Sequence, residues 1–146
     1  YGLAGARVGY ALGAQDLIGQ FEKIRNHFGM NRAAQSAAEA ALNDQAWLLS
    51  VRDKVGASKQ EIARIADENG LSTVESATNF RAIDCGRDGV FAQAVLAHLV
   101  QAGLFVRMPF VAPQNRCIRV SAGRSEDMDL LRRALPKALA AAASAG

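Results

Sequence analysis

Apolar positions recur at helical spacing through the first half of the chain and at closer to alternate spacing through much of the second. Between residues 15 and 25, Leu17, Ile18, Phe21 and Ile24 fall on one side of a 3.6-residue period, predicting a short amphipathic helix. A buried strand is expected before it, at 6–12. The N-H-F-G-M-N stretch at 26–31 interrupts the period with turn residues, and the alanine-rich run 32–43 predicts a second helix able to pack closely. A long helix follows over 44–69, its stripe supplied by Trp47, Leu48, Val51, Val55, Ile62 and Ile65, with Gly70 at the C-cap position.

Beyond Gly70 the pattern changes. Residues 71–84 mix β-branched and polar side chains at a period near two, which predicts one or two strands. A turn at 85–89 leads to a helix over 90–101 closed by Gly103, then a strand at 104–108, a hairpin loop at 109–115 and a strand at 117–121. Ser125 is the expected N-cap of a last helix through Leu139, with acidic residues in its first turn, a kink at Pro136 and a fraying alanine-rich end at 139–146. Several helices followed by strand, helix, strand, strand, helix describe an α+β fold with helices over a small, mostly antiparallel sheet. The break near Met30 divides the chain into 1–30 and 31–146.

Composition narrows the class without naming a chemistry. The chain has 146 residues, half of them hydrophobic, and a net charge of +3 from 17 basic and 14 acidic side chains. That length accommodates one core. The small excess of positive charge is not gathered into blocks, so nothing supports a nucleic-acid partner, whose phosphates call for a dense basic face. Cys85 and Cys117 are far apart and accompanied only by His27 and His98, so neither a metal site nor a disulfide framework is indicated, and a reducing cytoplasm is the default setting. No apolar run is long enough to cross a bilayer.

Chemistry concentrates at arginines. Arg7 sits among Gly2, Gly5, Gly9 and Gly13, where a backbone without Cβ atoms turns tightly and approaches a ligand closely. A guanidinium there is placed to fork onto a phosphate or carboxylate, although a surface arginine beside a turn would read the same way. Arg119 lies mid-strand between Ile118 and Val120, and Arg107 ends the run L-F-V-R. Arg116 and Arg124 read as solvated. Asn31 fits a helix N-cap or a residue ordering a domain junction. His98 fits a core position, His27 a loop, and the two cysteines small apolar fillers.

Four segments occur in one order: G-L-A-G-A-R-V-G-Y, M-N-R-A-A-Q-S-A-A-E-A-A-L-N-D, S-A-T-N-F, and G-L-F-V-R followed by C-I-R-V-S-A-G. Together they resemble, over nearly the whole chain, the C-terminal part of the histidinol-phosphate aminotransferases, fold-type I enzymes that use pyridoxal 5'-phosphate. The resemblance implies the small domain of such an enzyme, preceded by the last strand and helix of the large one. It implies that Arg7 clamps the cofactor phosphate, that Arg119 receives the substrate's carboxylate or equivalent anion, and that Arg107 is a second anion-binding residue. The family's Schiff-base lysine belongs to an S-K-x-[FY] pattern whose aromatic position Tyr1 matches. That lysine is therefore expected just upstream of Tyr1, leaving no catalytic residue here and this portion inactive alone. Amino acid and 2-oxo acid substrates and a homodimer are implied as well. A decarboxylase acting on an amino acid phosphate, of the threonine-phosphate type, shares the framework, and a non-catalytic regulatory or dimerisation module is the reading from another class.

Overall fold

Side chains and glycines placed at helix ends fix where most elements start and stop. In the computed structural model, which describes residues 1–144, α1 spans Gln15–Glu22, α2 Arg32–Asn43 and α3 Gln45–Glu68. They are followed by β1 Ser72–Val74, β2 Phe80–Asp84, α4 Gly89–Gln101, β3 Cys117–Ser121 and α5 Ser125–Ser144. The Asn31 side chain accepts the Ala34 N–H at 2.7 Å, Asp44 that of Trp47 at 2.9 Å, and Asp88 that of Phe91 at 2.9 Å. Each satisfies a donor with no partner inside its own helix. Of the two roles open to Asn31, capping is the one its geometry displays.

Helices α3 and α4 end by the same device. Gly70 (φ +70°) and Gly103 (φ +86°) adopt the left-handed conformation, and their N–H groups reach Asp67 and Val100. The N–H groups of Leu71 and Leu104 bond back to Ala66 and Leu99, both at 2.9 Å, which completes a Schellman motif at each end. Leu71 and Leu104 then pack against the core, so each glycine turns the chain and delivers an apolar anchor at once.

The strands form one antiparallel sheet in the order β1-β2-β3. Ile83 pairs with Ile118 and Arg81 with Val120, which sets Ile83, Ile118 and Val120 on one face. All three are buried, together with Ile62 and Ile65 of α3, Val95 and Leu99 of α4, and Leu131 and Leu135 of α5. Buried Ser58 of α3 accepts the Gly123 N–H at 3.0 Å, fastening the β3–α5 link. Arg132 of α5 pairs with Glu61 and Glu68 of α3 at the rim.

The chain divides into two compact units, Tyr1–Arg52 and Asp53 onward. The second holds the sheet and the core just described. In the first, Ala34 is the single buried residue, and Leu12 (89% exposed) and Phe28 (98%) project into solvent.

Several expectations are corrected. The strand foreseen at 6–12 is absent: Ala4–Ala6 form one 3₁₀ turn, and no regular element follows before α1. A strand exists only within a paired ladder, and the described residues give this run no partner. The strand at 104–108 reduces to a single bridge between Arg107 and Arg119, because Pro109 brings no N–H to extend the pairing. Helix α5 starts at Ser125 itself, and the capping position is Arg124, one residue ahead of the expected cap. The Arg124 carbonyl receives the first helical bonds, and Asp127 accepts the Arg124 N–H at 2.8 Å. Its alanine-rich end does not fray through the described residues. It continues past Pro136 to Ser144 and buries Ala138 and Ala142, small enough to approach the core closely; residues 145 and 146 lie outside the described part.

Gly70 yields a stability test. An added Cβ would meet nothing within 4 Å, so the cost of Gly70→Ala is purely that of the left-handed backbone. The variant should lose about 1–2 kcal/mol in urea denaturation; Gly56→Ala, inside helix α3, should instead be neutral or stabilising.

Candidate functional site: an arginine-lined cleft

Alternation along β3 sends Ile118 and Val120 into the core and leaves Arg119 on the opposite face. On one side Arg119 faces Ala82 of β2. On the other, Arg107 N–H donates to the Arg119 carbonyl at 3.2 Å and Arg119 N–H donates back to the Arg107 carbonyl. This doubly bonded antiparallel pair sets the two residues directly opposite each other, so their side chains leave the same face.

A cleft of about 790 Å³ lies beside them, lined by Gly89, Gln93, Asn115, Met108 and Phe110 among others. Its wall depends on a glycine at the first residue of α4. A Cβ on Gly89 would come within 2.5 Å of the Asn115 amide nitrogen, so only glycine admits that side chain here. Among the described residues, none that lines the cleft is acidic. Among the described residues, neither Arg107 nor Arg119 has a carboxylate within 4.0 Å. The guanidinium carbon of half-buried Arg119 instead lies 4.6 Å from the centroid of Phe80, and that of exposed Arg107 lies 5.5 Å from Phe105. Both distances are within cation–π range.

Two cations directly opposite each other on a ladder repel. Without a protein counter-charge, the arrangement is balanced when an anion is shared between them, and the guanidinium fork matches carboxylate and phosphate oxygens two at a time.

Arg7 belongs to the other unit. It closes the Ala4–Ala6 turn in a left-handed conformation (φ 56°, ψ 42°), and its Nη1 donates to the Ala4 carbonyl at 3.0 Å. Exposed and lacking a carboxylate partner among the described residues, its guanidinium keeps most of its donors available. Cβ positions at Gly2, Gly5 and Gly9 face open space, so the turn presents bare backbone around the side chain. A small dianion such as the phosphate of pyridoxal phosphate fits this chemistry.

The remaining candidates take structural positions. Arg116 is not simply solvated: it pairs with Asp84 at 2.8 Å, and Asp84 also accepts the Gly86 N–H. Arg124 is exposed beside Glu126 and Asp127. Exposed His27 stands 3.5 Å from Arg25, and His98 lies half-buried in the last turn of α4. Cys85 and Cys117 are buried free thiols.

Sequence reasoning passed over Phe80, Gly89 and Asn115. Phe80 lies in the S-A-T-N-F segment, but its neighbourhood with Arg119 depends on the β2–β3 register. The contact between Gly89 and Asn115 joins residues 26 positions apart and left no local signal.

The fold and these positions define a class. A family model for aminotransferase class I and II matches residues 1–135, and the chain belongs to that family. It is 35% identical over 129 residues to the histidinol-phosphate aminotransferase of Geobacillus thermodenitrificans, covering 88% of this chain and 34% of that protein. It is also 35% identical over 140 residues to histidinol-phosphate aminotransferase 2 of Caulobacter vibrioides, covering 95% of this chain and 36% of the relative. The chain thus spans about a third of the length of these curated relatives. Among solved structures, histidinol-phosphate aminotransferase from Sinorhizobium meliloti in complex with pyridoxal-5'-phosphate superposes with a TM-score of 0.92 at 51% identity, over 96% of this chain and 38% of that one. The resemblance seen in the four sequence segments is thereby established.

The buried thiols give a direct check on the fold around the cleft. Burial pushes Cys85 up to about 11 from an ordinary 9.0, and burial raises Cys117 as well. Both should resist a thiol reagent at pH 8 in the native protein and react fully in denaturant. Because the folded state holds Cys85 neutral, its contribution to stability should be constant below about pH 9 and fall as pH climbs toward 11, where the unfolded chain ionises first.

Proposed function

We propose that the chain is the C-terminal part of a pyridoxal-phosphate-dependent aminotransferase that moves an amino group between an amino acid, or a histidinol-phosphate-like amine, and a 2-oxo acid. The observation that carries this reading is the pair Arg107 and Arg119, opposed on one face beside a cleft without an acidic side chain. Such a cleft selects an anionic substrate and excludes one that ends in an ammonium group alone.

Arg119 is assigned the substrate's carboxylate or equivalent anion, and Arg107 a second contact to it. Arg7 is assigned the cofactor phosphate, with its left-handed turn holding the side chain near bare backbone. Bound pyridoxal phosphate supplies an electron sink for the charge left when a proton leaves the substrate's α-carbon. The residues of this chain bind: one arginine is assigned to the cofactor phosphate, the others to the substrate's anion, where a fixed anion orients the substrate. The resemblance supports the division into 1–30 and 31–146 as ends of a large and a small domain, a homodimer and a cytoplasmic setting. Among the described residues no helix is long and apolar enough to cross a membrane.

Two substitutions in the full-length protein separate the roles. Arg7→Ala should weaken cofactor binding by about 1.5–3 kcal/mol, the usual value of a hydrogen bond to a charged group. Arg119→Ala should leave cofactor affinity near that of the parent and raise the KM for the amino donor. Visible-absorbance titration of the cofactor and steady-state kinetics read the two effects. Unchanged cofactor affinity in Arg7→Ala removes the phosphate clamp, and an unchanged KM in Arg119→Ala removes the substrate anchor.

A further inference from the structure

We infer that Phe80 is the positioning residue of the anion-binding arginine: its ring face holds the Arg119 guanidinium in the cleft without neutralising it. This rests on the reading of Arg119 as the substrate-anion arginine. Register makes the contact. Phe80 pairs with Ser121 and Ala82 with Arg119, so Phe80 is the diagonal neighbour of Arg119 on the same sheet face. The side chain directly paired with Arg119 on β2, that of Ala82, is too short to brace a guanidinium. Phe80 reaches it, with 4.6 Å between guanidinium carbon and ring centroid.

The chemistry of the brace matters. A carboxylate at this position would hold the arginine more strongly but would occupy its donors and cancel its charge, leaving little for a substrate anion. An aromatic face attracts the cation through its quadrupole and leaves the N–H groups at the guanidinium edge directed outward. Among the described residues, the Arg119 guanidinium has no carboxylate partner that would compete. Arg107 has a weaker brace: Phe105 lies farther away, at 5.5 Å, and is itself 80% exposed. Of the two cations, Arg119 is therefore the one set in place before substrate arrives.

The test uses the full-length holoenzyme, with inorganic phosphate as a non-reacting probe followed by phosphorus NMR. Phe80→Leu keeps apolar bulk but has no π face. It should raise both the KM for the amino donor and the dissociation constant for phosphate about 3- to 10-fold, with kcat within about twofold of the parent. Phe80→Tyr should restore both values. Replacing Phe80 with trifluorophenylalanine keeps the shape while draining the ring face, and should give an intermediate loss even if Phe80→Leu fails to fold. In an Arg119→Ala background, Phe80→Leu should produce no further change. Phosphate binding unaltered by the fluorinated ring overturns the inference while leaving Arg119 its role, provided Arg119→Ala itself weakens binding. If Arg119→Ala binds phosphate and donor as the parent does, the reading of the site falls with it.

Discussion

The register between β2 and β3 places Phe80 and Arg119 relative to the core of the second unit. With Ile83 opposite Ile118, and Ala82 opposite Arg119, apolar residues face the helices and the arginine faces the cleft. A slip by one residue would drive Arg119 into the apolar layer and expose Ile118 and Val120, so burial on one face and presentation of Arg119 to the cleft on the other are enforced together. Packing of α3, α4 and α5 against that sheet is what makes the slipped alternative so unfavourable. The site's precision is therefore derived from a core it does not belong to.

Helix boundaries were legible because the residues that set them act locally. Asn31, Gly70 and Gly103 carry their conformational preference wherever they sit, and each holds the position expected of it, while Asp88, read only as part of a turn, caps α4. Strands were less legible. The runs at 6–12 and 104–108 have strand-like composition, but pairing partners decide whether a ladder forms, and a period-two pattern does not name its partner. The alanine-rich end of α5 was misread for the opposite reason: alanine looks uncommitted in sequence, yet its small size is what lets Ala138 and Ala142 approach the core.

The site divides along the same line. Arg107 and Arg119 were visible as arginines in apolar strand-like contexts, where a charge asks for an explanation. That they oppose each other across one doubly bonded pair is a product of tertiary pairing between segments a dozen residues apart. Phe80 and the close approach of Asn115 to Gly89 were invisible for lack of any local anomaly. A phenylalanine in a strand and a glycine before a helix both read as ordinary.

Under the proposed function, the unequal burial of the two arginines gives them unequal duties. Arg119 is half-buried in the middle of the face, flanked by Ala82 and leaning on Phe80, so few rotamers remain open to it and little conformational entropy is left to lose when an anion binds. Arg107, exposed at the end of a single bridge and beside an exposed ring, keeps its freedom and must be ordered by the ligand it meets. A fixed cation supplies orientation, since an anion docking on it inherits its geometry. A mobile one supplies tolerance, because it can follow anionic groups of different reach. Under the proposed function, one rigid and one adaptable guanidinium on the same face let Arg119 set the place of a substrate anion while Arg107 follows it.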